Sequence, residues 1–234
     1  MPVGIASGPD GNLWFTEASG NKIAKITTAG LTTEYLLPTS GSNPHAIASG
    51  PDSNLWFTEA GGSRIGKITT TGALTEYSVS AAPAGIASGP DGNLWFTECG
   101  VSKIGSITTA GVITRYVNLI PRSYPTNIAS GPDGNLWFTE LGGNKIGNIT
   151  ITGVFTEYAI PTAGSGPYAI TAGADGNLWF TERNVGNIGK ITTSGVITEY
   201  PLPSGAAPAN ITSGPDGNLW FTDQGGNAIG RLQP

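Results

Sequence analysis

The 234-residue chain carries a single histidine, His45. An imidazole titrates close to neutral pH, so this side chain is the natural candidate for removing a proton from an acidic C–H or a hydroxyl. Carboxylates are the other recurring chemical groups. Glu17, Glu59, Glu98, Glu140, Glu182 and Asp223 each end a Leu-Trp-Phe-Thr-acid phrase. Such a set could hold a cation or a polar ligand. It could equally serve the fold, with each acid accepting hydrogen bonds from loop N–H groups or pairing with a Lys or Arg. A catalytic site needs asymmetry, and an acid in every copy lacks it. The set Glu17, Glu98, Glu140, Glu182 and Asp223 is therefore expected to be a structural acidic ring.

Asymmetry marks the better candidates. The equivalents of His45 are Val3, Ala84, Thr126, Tyr168 and Ala209. Thr126, Asn127, Tyr168 and Asn210 differ from their counterparts, and Arg183 follows Glu182 where other copies have Ala, Cys, Leu or Gln. These five are expected at one mouth of a central channel, where a small or polar ligand could bind. Arg115 replaces the Glu of a recurring Thr-Glu-Tyr, on what reads as an outer strand. Other constellations are missing. One His and one Cys exclude the usual zinc sites. No nucleophile elbow or phosphate-binding glycine loop is present.

These residues sit in a repeat. Gly-Pro-Asp-Gly-Asn-Leu-Trp-Phe-Thr-Glu recurs six times with small changes, and its tryptophans are Trp14, Trp56, Trp95, Trp137, Trp179 and Trp220. A fixed period of about 41 residues means a solenoid, propeller or array. Each copy reads as four short strands: Ile5-Ala6-Ser7, Leu13 to Glu17, Ile23 to Thr27 and Thr32 to Tyr35. Asp10-Gly11 is expected as a tight hairpin turn, and Ala29-Gly30 as another. No segment has a helical apolar period. The expectation is an all-β, six-bladed propeller in one domain, with blades at about 2–43, 44–82, 83–124, 125–166, 167–207 and 208–234. The tryptophans are expected in the core between blades. The Thr-Glu-Tyr strand, Thr-Arg-Tyr in the third copy, occurs only five times, so the last blade should lack its fourth, outer strand. Its third strand would be an open edge, available for self-association.

Composition narrows the partners. Sixteen acids against eleven Lys and Arg give a net charge of −5, which argues against nucleic acid. No long apolar run suggests a membrane span, and no signal peptide is recognisable, so a soluble chain is expected with its compartment open. The lone Cys99 cannot form an internal disulfide.

Pro-His-Ala-Ile-Ala-Ser-Gly-Pro-Asp-Ser-Asn-Leu-Trp-Phe-Thr-Glu (Pro44 to Glu59), followed by Ser63-Arg64-Ile65-Gly66-Lys67-Ile68, resembles the virginiamycin B lyase family. The other repeats are similar, so the resemblance covers nearly the whole chain. It implies a propeller, seven-bladed in that family, that opens streptogramin B rings by elimination with a magnesium ion. Carried over, it makes His45 the general base and Glu59 a metal ligand. Asn43 stands where an earlier carboxylate ligand is expected, and Val3 where a second histidine is expected.

Two functional readings follow. The first is a non-enzymatic ligand-binding or scaffold propeller without a cofactor, of which an engineered repeat protein is a variant. The second is a magnesium-dependent streptogramin B lyase-like enzyme using His45. With two of the four family positions changed, the first is the expectation.

Overall fold

Every sheet of the protein is built from strands that follow one another in the chain and pair antiparallel in that order. A computed structural model describes residues 1–117 and 119–234. The chain is an all-β, six-bladed propeller, with five blades of four strands and a last blade of three. Among the described residues, helix is confined to one 3-10 turn, Cys99–Val101. Among the described residues no helix is long and apolar enough to cross a membrane.

The second blade shows the construction. Its strands are Pro44–Ser49, Leu55–Glu59, Arg64–Ile68 and Leu74–Ser78. Alternation on Leu55–Glu59 puts Trp56 and Thr58 on one face and Leu55, Phe57 and Glu59 on the other. All five are buried. Both faces are covered because blades stack. Within Met1–Val117, Trp14 of the first blade packs on Leu55, Phe57 and Ile68 of the second, and Trp56 on Leu94, Phe96 and Ile107 of the third. Within Asn118–Pro234, Trp137 meets Leu178 and Phe180, and Trp179 meets Leu219 and Phe221. Burying roughly 200 Å² per indole stabilises the stack by about 5 kcal/mol each.

The turns differ from a two-residue hairpin. Ser7 pairs with Leu13, which leaves a five-residue loop closed by Gly8 N–H to the Asn12 carbonyl at 2.7 Å. The aspartate explains the extra length. Asp10 Oδ1 accepts from the Trp14 indole at 3.0 Å, and its Oδ2 accepts from the Asn12 amide at 2.8 Å. The same indole-to-Asp bond recurs from Asp52, Asp91, Asp133, Asp175 and Asp216. Asp therefore satisfies the one polar atom of an otherwise apolar side chain. On the other side of the indole lies the fourth-strand tyrosine. Tyr35, Tyr77, Tyr116, Tyr158 and Tyr200 stack on Trp14, Trp56, Trp95, Trp137 and Trp179 with ring centroids 4.9–5.7 Å apart.

The last blade keeps the aspartate but lacks the tyrosine. Its strands are Pro208–Ser213, Leu219–Asp223 and Ala228–Leu232. Trp220 has no stacked tyrosine and is 37% exposed, against 1% for Trp179. Ile229 is 65% exposed where Ile188 is fully buried. Burial expected of all six tryptophans thus holds for five, and packing between blades is seen for Trp14, Trp56, Trp137 and Trp179.

Candidate functional site

His45 sits at an irregularity. The first strand of each blade slips register against the second near its start, between Pro44 and Ile47 in the second blade. The strand-two threonine fills the slip. Thr58 Oγ1 accepts from Ala46 N–H at 3.0 Å, and Thr16 Oγ1 of the preceding blade donates to the His45 carbonyl at 2.7 Å. Thr58 Oγ1 in turn donates to the Ala84 carbonyl at 2.8 Å. His45 is thereby held on both sides of its peptide. Its side chain is half-buried, and Nδ1 is buried without a hydrogen-bond partner. Burial lowers its pKa, partly countered by the backbone of Ala84. The imidazole is therefore neutral at pH 7 and can accept a proton.

Glu59 pairs in register with Pro44, one residue from His45, yet the two side chains meet different neighbours. His45 faces the backbone of Ala84; Glu59 faces Ser42, Glu76 and Arg64. Glu59 is fully buried and both its oxygens lack partners. Desolvation, chiefly, raises its pKa to about 7. The donor set falls short of a magnesium site. No three His, Cys, Asp or Glu come together to hold a metal among the described residues. Magnesium is normally held by carboxylate oxygens and water. Asn43 offers only a neutral amide and is exposed at φ 49°. Asn tolerates that left-handed backbone better than most residues, which gives Asn43 a local reason of its own. Glu59's orphaned oxygens are no mark of a unique site either, because Glu140 and Glu182 show the same.

The strand-ending acids divide into two groups. Glu98 Oε1 accepts from Ser80 N–H at 2.9 Å, and its Oε2 lies 3.4 Å from Arg115 Nε. Asp223 Oδ1 accepts from Ala207 and Gly225 N–H at 2.7 and 3.1 Å. These two have the partners expected of structural acids. Glu59, Glu140 and Glu182 do not, although each is fully buried. Glu17 is only half-buried. The lysines that could have paired with these acids reach the fourth strand instead: Lys22 binds Glu34, and Lys145 Nζ lies 2.6 Å from Glu157.

In Asn118–Pro234 the structure joins four of the five channel-mouth candidates. Thr126 Oγ1 lies 3.2 Å from the Tyr168 carbonyl and Asn127 Oδ1 accepts from Ile170 N–H at 3.2 Å. Arg183 lies 5.5 Å over the Tyr168 ring and donates to Gln224 Oε1 at 2.6 Å. Asn210 stands apart and is exposed, its N–H bonded to Thr222 Oγ1 at 3.0 Å. Sequence reading missed the threonine relay that pins the His45 peptide. Its only trace is an invariant Thr before each acid, which an ordinary β-branched strand residue would also leave.

Comparison with known proteins bears on this geometry. The virginiamycin B lyase family model matches residues 1–123 and 80–234. Virginiamycin B lyase from Staphylococcus aureus is 44% identical over all of this chain and 81% of its own, with a TM-score of 0.96. A streptogramin B lyase is 39% identical over all of this chain and 83% of its own, at 0.93. A catalytically inactive His-to-Ala variant of the Staphylococcus aureus enzyme, solved with Quinupristin, is 44% identical over 99% of this chain and 80% of its own, at 0.96. No curated protein matches in a sequence search. These likenesses overturn the expectation of a non-enzymatic scaffold. That expectation leaned on two changed positions, whereas kinship over the whole chain points to enzymes.

Proposed function

Because the chain belongs to the virginiamycin B lyase family, we propose that it is a lyase that opens an ester-closed cyclic peptide of the streptogramin B type, with His45 as the base. The observation that carries this reading is the whole-chain likeness to two such lyases combined with one imidazole, held neutral by burial on a pinned strand. Loss of activity in a relative through a His-to-Ala change fits a reaction that needs an imidazole.

The chemistry is an elimination. Neutral His45 takes the proton from a carbon beside a carbonyl. The released electron pair forms a carbon–carbon double bond, the ring C–O bond breaks, and a carboxylate leaves. Thr16 and Thr58 keep the base from drifting by fixing the carbonyl of His45 and the N–H after it. Positioning of this kind is what makes a general base effective.

The test is incubation with quinupristin, followed by mass spectrometry. Elimination gives a linear product with the mass of the ring, whereas hydrolysis adds one water. A linear isomer supports the proposal. An unchanged ring at high protein concentration, with and without magnesium, removes it.

A further inference from the structure

The acids left without partners each lie beside a second one. On the fifth blade, Glu182 ends the second strand (Leu178–Glu182) and Glu199 lies on the fourth (Ile197–Pro201). Register places Phe180 opposite Gly189 and Gly189 opposite Glu199. Directly opposite residues share a face, so Glu182 and Glu199 stand on the same face with a glycine on the strand between them. Nothing projects from that glycine to separate them, and Glu199 beside Glu182 disfavours a second negative charge there.

No cation neutralises the pair from the elements around it. The third-strand partner of Glu182 is Asn187, where the first four blades have Lys or Arg. The preceding connection contributes Ser165 beside Glu182 and Thr162 N–H, 3.2 Å from Glu199 Oε1. Lys190 lies over Trp179 and Arg183 over Tyr168. Glu182 is fully buried; Ser165 and Asn187 beside it favour its charged form, but burial and Glu199 outweigh them. Two ionised carboxylates in such a place repel each other without screening.

The third blade supplies an internal comparison. There Arg115 replaces the fourth-strand glutamate, again across a glycine, Gly105, and sits 3.4 Å from Glu98. The geometry accepts a positive charge at the fourth-strand position. In the fifth blade that charge has to come from elsewhere.

We propose that Glu182 and Glu199 share one proton as a carboxyl–carboxylate pair, so that the attachment of the fifth blade's outer strand is weakened by alkaline pH. The Glu140–Glu157 pair of the fourth blade is built the same way, with Lys145 on its rim. Burial, with Glu199 beside it, raises the Glu182 pKa from 4.5 to about 8. The folded chain therefore holds a proton that the unfolded chain has released. Stability from this pair is complete below pH 4.5 and is lost as pH rises towards 8, by about tenfold in the folding constant per pH unit.

The experiment measures urea unfolding of the full chain from pH 5 to 9, for wild type and for Glu182→Gln and Glu199→Arg. Glutamine keeps the shape and needs no proton; arginine copies the third blade. Both variants are expected to lose about one proton of the pH dependence that wild type shows. Infrared spectroscopy at pH 6 should show a protonated-carboxyl band that weakens in Glu182→Gln. Unchanged pH dependence in both variants overturns the proposal. So does stabilisation of wild type at pH 8 by calcium or sodium that equals the effect of acid, because a cation would then fill the place given to the proton. If one variant fails to fold, the other and the infrared band decide.

Discussion

Replacing Gly189 by alanine puts a methyl group where the Phe180 ring already lies. An added Cβ would stand 2.1 Å from Phe180 Cζ, 2.3 Å from Cε2 and 2.7 Å from Cε1. Carbon atoms at rest sit about 3.5–4.0 Å apart, so the ring has to retreat by roughly 1.4 Å or more. Phe180 is fully buried against Trp137 of the preceding blade and has no room to do so. Overpacking of this kind costs about 1–3 kcal/mol. The backbone argument has the opposite sign, since Gly→Ala at an unstrained position stabilises by about 0.4–1 kcal/mol through the unfolded chain. Blade one shows that the backbone itself accepts a side chain. Ala24 occupies the equivalent position, opposite a Phe15 that is only half-buried. The expected net cost is about 1–2 kcal/mol, or roughly 2–8 °C in Tm for a chain of this size. Thermal and urea unfolding of Gly189→Ala read it directly. Equal or greater stability than wild type would refute the reasoning, leaving backbone entropy as the dominant effect.

Other predictions follow from the same contacts. Arg115→Ala leaves the fully buried Glu98 with only its Ser80 bond, and should cost about 1–3 kcal/mol in urea unfolding. Tyr200→Ala removes a ring stacked 5.4 Å from Trp179 and should lower stability by about 1–3 kcal/mol, with a shift in tryptophan emission. Ring opening should need neutral His45. Its pKa is lowered by burial, so the rate should be level at pH 7 and above and should fall only below the ordinary histidine value of 6.5. A midpoint above 7 in the pH–rate profile would argue against His45 as base.

The blade was legible because its parts obey local rules. The short apolar run in Leu-Trp-Phe-Thr-Glu, flanking glycines and a period of about 41 residues fix strand order without distant information. Counting Thr-Glu-Tyr phrases located the incomplete last blade, since that phrase is the fourth strand. The Asp-Gly turn was legible, with Gly11 at φ 75° and its N–H 3.1 Å from the Gly8 carbonyl, but the bond from the Trp14 indole to Asp10 was not, because a side-chain acceptor leaves no separate mark in sequence. The acids were harder still. Glu98 and Glu182 occupy the same place in the repeat, yet the first meets Arg115 and the second meets Glu199. The difference lies on another strand, 17 residues along the chain in each case, and becomes meaningful only once register places both across a glycine. Function was least legible. His45 stood out as the single imidazole, but two of the four family positions are changed, and the threonines that hold its peptide look like ordinary strand residues.

The most direct test of the account compares wild type with His45→Ala on quinupristin, as kcat/KM for ring opening to an isomer of unchanged mass. Both proteins must first show the same thermal unfolding. A base in contact with the reacting C–H contributes about 10²–10⁴-fold, and a loss in that range is predicted. A His45→Ala protein that opens the ring as fast as wild type would show that the imidazole is not the base and contradict the assignment of the site.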